Sequence, residues 1–322
     1  MTGGRALLHW NNGVFLNSPQ DIPHLVSEES ISPSCSGQAA PRLCHRFNLQ
    51  HARIAGPSFV WPADVAENCR RLAPLVDEVG LLFFESEACL VYTERDLPPW
   101  LAETGLRFHA HLPLDLPWNE GPERVWEIVS GLRRKAAFLR PWAFVLHPPE
   151  TRPDFIDLSG RAEVCPQPGN DVAFGQGFGS FTEFVHLWGQ RWEQGGGRPE
   201  ELLLENTREN DLVDSWPLIQ SVNLGICLDL GHLLVHGQQT HRLPEIWSRV
   251  RMVHLSAPGK VGEDGRPRDG HRSLAELDHR GRGLLEEILG RIRPDCVLML
   301  EVFEPEGFME SLNMLRGMTG RA

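Results

Sequence analysis

No Cys-x-x-Cys pair occurs anywhere in the 322 residues. The seven cysteines (Cys35, Cys44, Cys69, Cys89, Cys165, Cys227 and Cys296) are odd in number and widely scattered, so neither a disulfide framework nor a thiolate zinc site organises the chain. They read as reduced, mostly buried side chains of a cytoplasmic protein. Long apolar runs are missing too: none is long enough to span a bilayer, and "RALLHW" near the start is too short and too soon interrupted for a signal-peptide core. A soluble cytoplasmic monomer with no membrane partner is expected. Positive charge is also in short supply. A formal net charge of −12 argues against a broad basic surface that gathers nucleic acid, although a local basic patch could still hold phosphate.

What is present suits one large α/β unit. Hydrophobic content of 41% supports a sizeable core, and 31 glycines with 25 prolines suit many short connections. The length exceeds the usual single domain, but α/β barrels routinely reach it. Residues 1–42, with "NSPQDIPHLVSEESISPSCSGQAAP", are Ser- and Pro-rich without sustained periodicity and are expected to form a poorly ordered leader. Residues 43–322 are expected to form the barrel.

From Arg46 onward, eight strand-like runs alternate with helical patterns: "RFNLQHARIAG", "VGLLFFES", "LRFHAHLP", "AFVLHPP", "ELLLEN", "VNLGICLDLG", "VRMVHLSA" and "CVLMLEVFE". Helices are expected over Asp64–Leu75, Pro122–Leu139, Phe181–Gln194, Asp211–Gln220, Leu284–Arg293 and Glu306–Met318, where apolar residues recur at three and four positions. Strands apolar nearly throughout are buried on both faces, which points to a parallel sheet covered by helices. Eight such units favour a closed (β/α)8 TIM barrel over a doubly wound open sheet. The irregular stretch Pro148–Gly179 reads as an insertion after the fourth strand.

In a barrel of this kind the carboxyl ends of the strands converge on one rim. The third run ends in His109-Ala-His111, the fourth in His147, the fifth in Glu205, the sixth in Asp229 followed by His232, the seventh in His254 and the eighth in Glu301. The loop after the seventh adds Asp269 and His271. Singly, each has an ordinary explanation: a packed imidazole, a helix cap at Asp229, a turn at Asp269-Gly270-His271. Jointly, so many carboxylates and imidazoles at one mouth would repel and lose hydration unless cations sat among them. Nitrogen and carboxylate donors suit zinc, with manganese or iron as alternatives, and nine donors imply two or three divalent ions. His109 and His111 point to the same side of their strand; His111 is nearer the end and is the preferred ligand.

The order His, His, Glu, Asp-x-x-His, His, Asp-x-His, Glu, each at the end of a successive strand, resembles the endonuclease IV branch of the xylose isomerase-like barrel superfamily over roughly Arg46–Met318. The resemblance implies one ion held by His111, His147 and Glu205. It implies a second sharing Glu205 and adding Asp229, His254 and Glu301, and a third on His232, Asp269 and His271. Glu205 and Glu301 would then be the catalytic carboxylates. Two ions roughly 3.5–4 Å apart can clamp a phosphate and bring a water between them toward a pKa of about 7, so phosphodiester hydrolysis is the expected reaction.

In the loop after the seventh strand Lys260, Arg266, Arg268 and Arg272 surround the Asp269–His271 pair, and Lys260, Arg268 and Arg272 are candidate substrate ligands for phosphate oxygens. The segments "PSFVWPADVAENCRRLAPLVDEVGLLFFES" and "PPWLAETGLRFHAHLPLDLPW" resemble the cobamide-remodelling phosphodiesterases of the same superfamily. That resemblance implies a corrinoid phosphodiester as substrate, cut at the phosphoribosyl linkage of its nucleotide loop, with Trp61, Trp100 and Trp118 as apolar surfaces nearby. An abasic-site DNA endonuclease is possible but not favoured by the net charge. A divalent-metal sugar isomerase or epimerase would need only Glu205, Asp229, His254 and Glu301, and a non-catalytic metal- or corrinoid-binding protein would saturate its ions.

Overall fold

In the computed structural model of the protein, the residues described are 47, 49, 51–148, 181–213, 215–263, 265 and 267–320. The expected leader, nearly all of the expected insertion, and Arg266 lie outside them. The eight strands are β1 (Arg53–Pro57), β2 (Glu78–Leu82), β3 (Arg107–His111), β4 (Phe144–Leu146), β5 (Leu202–Glu205), β6 (Gly225–Asp229), β7 (Val250–Leu255) and β8 (Val297–Leu300). Each pairs in parallel with the next, and β8 returns to β1, so the sheet closes as a (β/α)8 TIM barrel. The open-sheet alternative is thereby excluded.

Helices α1 (Val65–Leu72), α2 (Ser86–Leu90), α3 (Pro122–Ala136), α4 (Phe181–Gln194), α5 (Trp216–Ser221), α6 (Leu230–His236), α7 (His279–Arg291) and α8 (Pro305–Thr319) follow the strands in turn. Carboxylates start four of them: Asp64, Asp229, Asp278 and Glu304 each accept a backbone N–H of the first turn, satisfying donors that a helix leaves orphaned. The helix expected over Asp211–Gln220 is shorter and later. Leu212 is held at φ 66°, outside helical space, and α5 starts at Trp216 with Pro217 in its first turn, where a missing N–H costs nothing. The brief α2 and α6 have too few residues to display a period in sequence.

Two buried layers follow from the alternation of side chains along the strands. Outward-facing residues merge with the helices into the large core. Inward-facing Ala55, Ala143, Val145, Leu203, Cys227, Met252, Val297 and Met299 fill the barrel itself. Beneath the mouth this filling includes a polar group. His109 Nδ1 donates to Glu78 Oε1 at 2.7 Å, Trp142 Nε1 donates to the same oxygen at 2.5 Å, and Arg53 Nε lies 3.4 Å from Glu78 Oε2. Gly80 makes room for that imidazole, since a Cβ there would sit 2.6 Å from His109 Nε2.

Candidate metal centre

The strands deliver their last polar residue to one cavity. Glu205 Oε2 lies 3.2 Å from His111 Nε2, 3.2 Å from His147 Nε2 and 3.4 Å from His254 Nδ1. His254 Nδ1 is in turn 3.3 Å from Glu301 Oε2, which is 3.6 Å from His271 Nδ1. His271 Nε2 is 3.8 Å from Asp269 Oδ1, and Asp269 Oδ2 is 3.2 Å from His232 Nε2. His232 Nδ1 then lies 3.4 Å from Asp229 Oδ1 and 3.7 Å from Glu205 Oε1, closing a continuous ring of all nine residues singled out in the sequence.

Within that ring the donor atoms of His111, His147 and Glu205 lie within 4.8 Å of one another, as do those of Glu205, Asp229, His254 and Glu301. These are two of the three ligand sets that the resemblance implies. The third set, His232, Asp269 and His271, is linked through Asp269 without meeting that limit among the described residues. His109 is not in the ring. It points down to Glu78, so His111 is the member of the pair at the mouth.

Neighbouring backbone fixes how the imidazoles present themselves. His111 Nδ1 is 2.8 Å from the Leu112 carbonyl, and His232 Nδ1 is 2.7 Å from the Asn206 carbonyl. A carbonyl only accepts, so both Nδ1 atoms carry a proton, and Nε2, turned toward Glu205 in one ring and Asp269 in the other, is the atom each imidazole would offer to an ion. Asn206 does more: its side chain accepts from Asp229 N and donates to Asp229 O and Gln238 Oε1, while Gln238 donates to Thr207 O. Asp229 has two uses, since Oδ1 caps α6 by accepting from His232 N, and Oδ2 faces the cavity.

The last two donors stand on a β-ribbon that the chain builds between β7 and α7. Its limbs pair antiparallel at Ala257 with Arg272 and at Val261 with Pro267. Gly270, between Asp269 and His271, passes so close to the opposite limb that a Cβ there would lie 2.6 Å from Gly259 Cα. His271 is held at φ 43°, left-handed backbone that a non-glycine residue adopts at a cost of roughly 1–3 kcal/mol, and its ring meets Phe303 edge to face at 4.8 Å.

Charge is unbalanced in a way that a cation would relieve. Asp229 Oδ2, His254 Nδ1 and Nε2, His271 Nδ1 and Glu301 Oε2 are all buried without a hydrogen-bond partner. Burial, and then the neighbouring Glu301 and Glu205 carboxylates, push Asp229 up to about 7 against the opposing pull of His232. Burial works against ionisation of His232, yet Asp229, Asp269 and Glu205 together raise it to about 11. Glu205 and Glu301 are held below the ordinary carboxylate range because His254 and its neighbouring imidazoles outweigh the burial that opposes them. Protons thus occupy positions where divalent ions would serve the same carboxylates, and oxygen and imidazole donors with orphaned buried atoms fit such ions.

Of the basic residues in the ribbon, Lys260 is exposed on the outgoing limb. Arg272 is committed to Glu276, with Nη2 3.0 Å from Oε1, and the Arg268 guanidinium lies against Gly262. Trp61 packs on Phe308 and Trp118 on Trp188, while Trp100 lies under Arg70, whose place in the last turn of α1 puts it toward the opposite end of the barrel. Asn206, Gln238 and Glu78 escaped sequence reasoning. The only signal for Asn206 was a polar residue directly after Glu205 at the end of an apolar strand. Cys227, read from sequence as inert packing, has its sulfur within 4.8 Å of donor atoms of Glu205 and His254.

No family model and no curated relative matches the sequence. Solved structures do. A D-tagatose 3-epimerase-like protein aligns at 17% identity over 83% of this chain and 97% of its own, with a TM-score of 0.57. Endonuclease IV from Thermus thermophilus aligns at 20% identity over 84% of this chain and 100% of its own, with a TM-score of 0.54. A further protein from the same organism, soaked with zinc chloride, aligns at 22% identity over 84% of this chain and 98% of its own, with a TM-score of 0.53. The chain has the fold of the xylose isomerase-like TIM barrels. No helix among the described residues is long and apolar enough to cross a membrane.

Proposed function

We propose that the protein is a metal-dependent phosphodiesterase whose substrate is a cobamide, hydrolysed at the phosphoribosyl linkage of its nucleotide loop. The observation that carries the hydrolase reading is the placement of Glu205. A single oxygen of this carboxylate stands 3.2 Å from each of two imidazoles on one side and 3.4 Å from a third on the other, so one residue serves two donor sets. A carboxylate shared by two donor sets would hold two ions close enough to clamp the attacking and leaving oxygens of a displacement at phosphorus.

His111, His147 and Glu205 would hold one divalent ion, Glu205, Asp229, His254 and Glu301 a second, and His232, Asp269 and His271 a third. When bound, such ions supply an activated water and neutralise charge on the phosphate. The chain's own contribution is geometric. Leu112 and Asn206 carbonyls lock two imidazoles in the tautomer that presents Nε2, and Asn206 anchors the backbone of Asp229. His147 and Asp269 form the open edge, with side chains 26% and 42% exposed against 1% for Glu205, so substrate enters on their side. Lys260, exposed on the ribbon, would meet phosphate oxygens there, and exposed Val261 beside it would offer a partly apolar ligand a surface.

The corrinoid over the nucleic-acid alternative rests on the resemblance of the first three βα units, on the net charge of −12 and on that apolar tip. A sugar epimerase is the second reading. It is favoured by the tight four-donor group Glu205, Asp229, His254 and Glu301, and by the epimerase-like neighbour, but it gives no work to the other five donors. Incubating the zinc-loaded protein separately with a complete cobamide, an abasic-site duplex and a ketohexose separates the three. Loss of the nucleotide loop in the first tube alone is the expected result; product only in the second or third would replace the proposal.

A further inference from the structure

The geometry points to a second anion-binding site, for a phosphoryl group, on the face of the barrel opposite the mouth. There a cleft of about 220 Å³ is lined by Glu200, Asn223, Gly225, Ser248, Arg249, Arg251 and Arg293. Its three arginines come from separate segments: Arg249 ends the 3-10 turn Pro244–Ser248, Arg251 is the second residue of β7, and Arg293 follows α7. Each lies before a strand or at its start, which puts all three at the amino-terminal ends of the barrel strands.

The aim of Arg251 is built into the sheet. In the ladder between β6 and β7, Ile226 pairs with Val250 and the next residue, Cys227, pairs with Met252. Arg251 is the residue left over. A bulge of this kind redirects the side chain of its extra residue, here into the cleft. Its guanidinium makes no hydrogen bond or ion pair with any described residue and acts on Asp295 only at a distance. Its neighbours are already fixed: Arg249 donates to Asn223 Oδ1, and Arg293 forks onto Asp295 with Nε at 2.9 Å and Nη2 at 3.0 Å. Gly225, also in the lining, packs so closely that a Cβ there would meet Leu203 at 2.4 Å and the Glu200 carbonyl at 2.9 Å.

Three arginines against Glu200 in the lining and Asp295, which holds Arg293, leave a net positive charge in a chain of net charge −12. A planar fork with five donors and no internal partner matches phosphate oxygens two at a time. The cleft falls below the roughly 300–1,000 Å³ of pockets that enclose drug-sized ligands, so its occupant is small, one phosphoryl dianion either free or on a short ester. The mouth plays no part in this site.

Thermal unfolding of the zinc-loaded protein, followed against inorganic phosphate and against glycerol 3-phosphate at constant ionic strength, tests it. A saturable rise in the midpoint is expected. It should persist in Glu205→Gln, weaken about tenfold in half-saturation for Arg251→Ala, which removes charge-assisted hydrogen bonds, and weaken less for Arg251→Lys, which keeps the charge without the fork. Arg293→Gln serves as the independent variant should Arg251→Ala fold poorly. Tighter binding of the ester identifies an esterified phosphate as the ligand, and equal binding identifies free phosphate. A response that sodium chloride reproduces, that is unchanged in both Arg251 variants, or that disappears only in Glu205→Gln would overturn the site.

Discussion

Two polar clusters are stacked inside this barrel, and their charges are answered differently. At the floor, one carboxylate, Glu78, receives His109 and Trp142 on one oxygen and faces Arg53 with the other, so its charge is met by protein groups. Burial lowers the affinity of His109 for a proton, in keeping with a neutral ring that only donates to Glu78. At the mouth, four carboxylates meet five imidazoles and leave five buried atoms without a hydrogen bond. Both clusters pair a buried glutamate with imidazole, Glu78 with His109 and Glu205 with His254. Unsatisfied atoms alone do not separate the two, since Arg53 Nε and Glu78 Oε2 at the floor also lack a hydrogen bond; the difference is that a guanidinium answers the carboxylate at the floor, whereas at the mouth only imidazoles face four carboxylates.

Four changes would break or sharpen that contrast, taken here from the strongest effect to the weakest. Glu78→Ala strands Arg53 beside a void and should cost about 3–5 kcal/mol in chemical denaturation while metal content per folded molecule stays at the wild-type value; a fall in metal content would join the floor to the mouth. Glu205→Gln should do the reverse, reducing the proposed phosphodiester hydrolysis by about 10²- to 10³-fold and bound metal by at least one equivalent in elemental analysis, with the unfolding midpoint of chelated protein hardly changed. Asn206→Ala, which removes the side chain that anchors Asp229, should weaken metal binding by about 10–100-fold in a competition titration. Finally, in chelated protein His232, raised to about 11 from 6.5 by its carboxylate neighbours, contributes stability that is complete below about 6.5 and drains away as pH climbs toward 11. The melting temperature of chelated protein should fall by a few degrees between pH 7 and 10, and metal-loaded protein, whose imidazoles are already neutral, should show no such slope.

Much of this was legible in the chain itself. Strands such as "ELLLEN" and "CVLMLEVFE" are buried on both faces, so they announce a parallel sheet, and their ends carry the donors. For Asp229 two readings competed, helix cap and ligand; the structure shows the cap on Oδ1 and leaves Oδ2 facing His254, so the cap does not use up the oxygen that a ligand role needs. The rest was hidden for physical reasons. Glu78 opens its strand and Trp142 precedes one, so nothing in sequence says that they meet His109. The short α2 and α6 complete barely one or two turns, too few for a period to register. The fate of Arg272, drawn off by Glu276 four residues later, depends on a turn that no pattern reveals.

The ribbon after β7 has a consequence for how such a site can diversify. Seven of the nine donors, His232 included, are rooted in the strands or immediately after them, but Asp269 and His271 ride on an excursion whose two limbs touch at Gly259 and Gly270. Shortening that excursion by one hairpin would remove two donors of the proposed third set and leave the closed sheet untouched. On the proposed three-set arrangement, how many ions the mouth could take is set by one surface loop, open to insertion and deletion, while the barrel beneath it need never change.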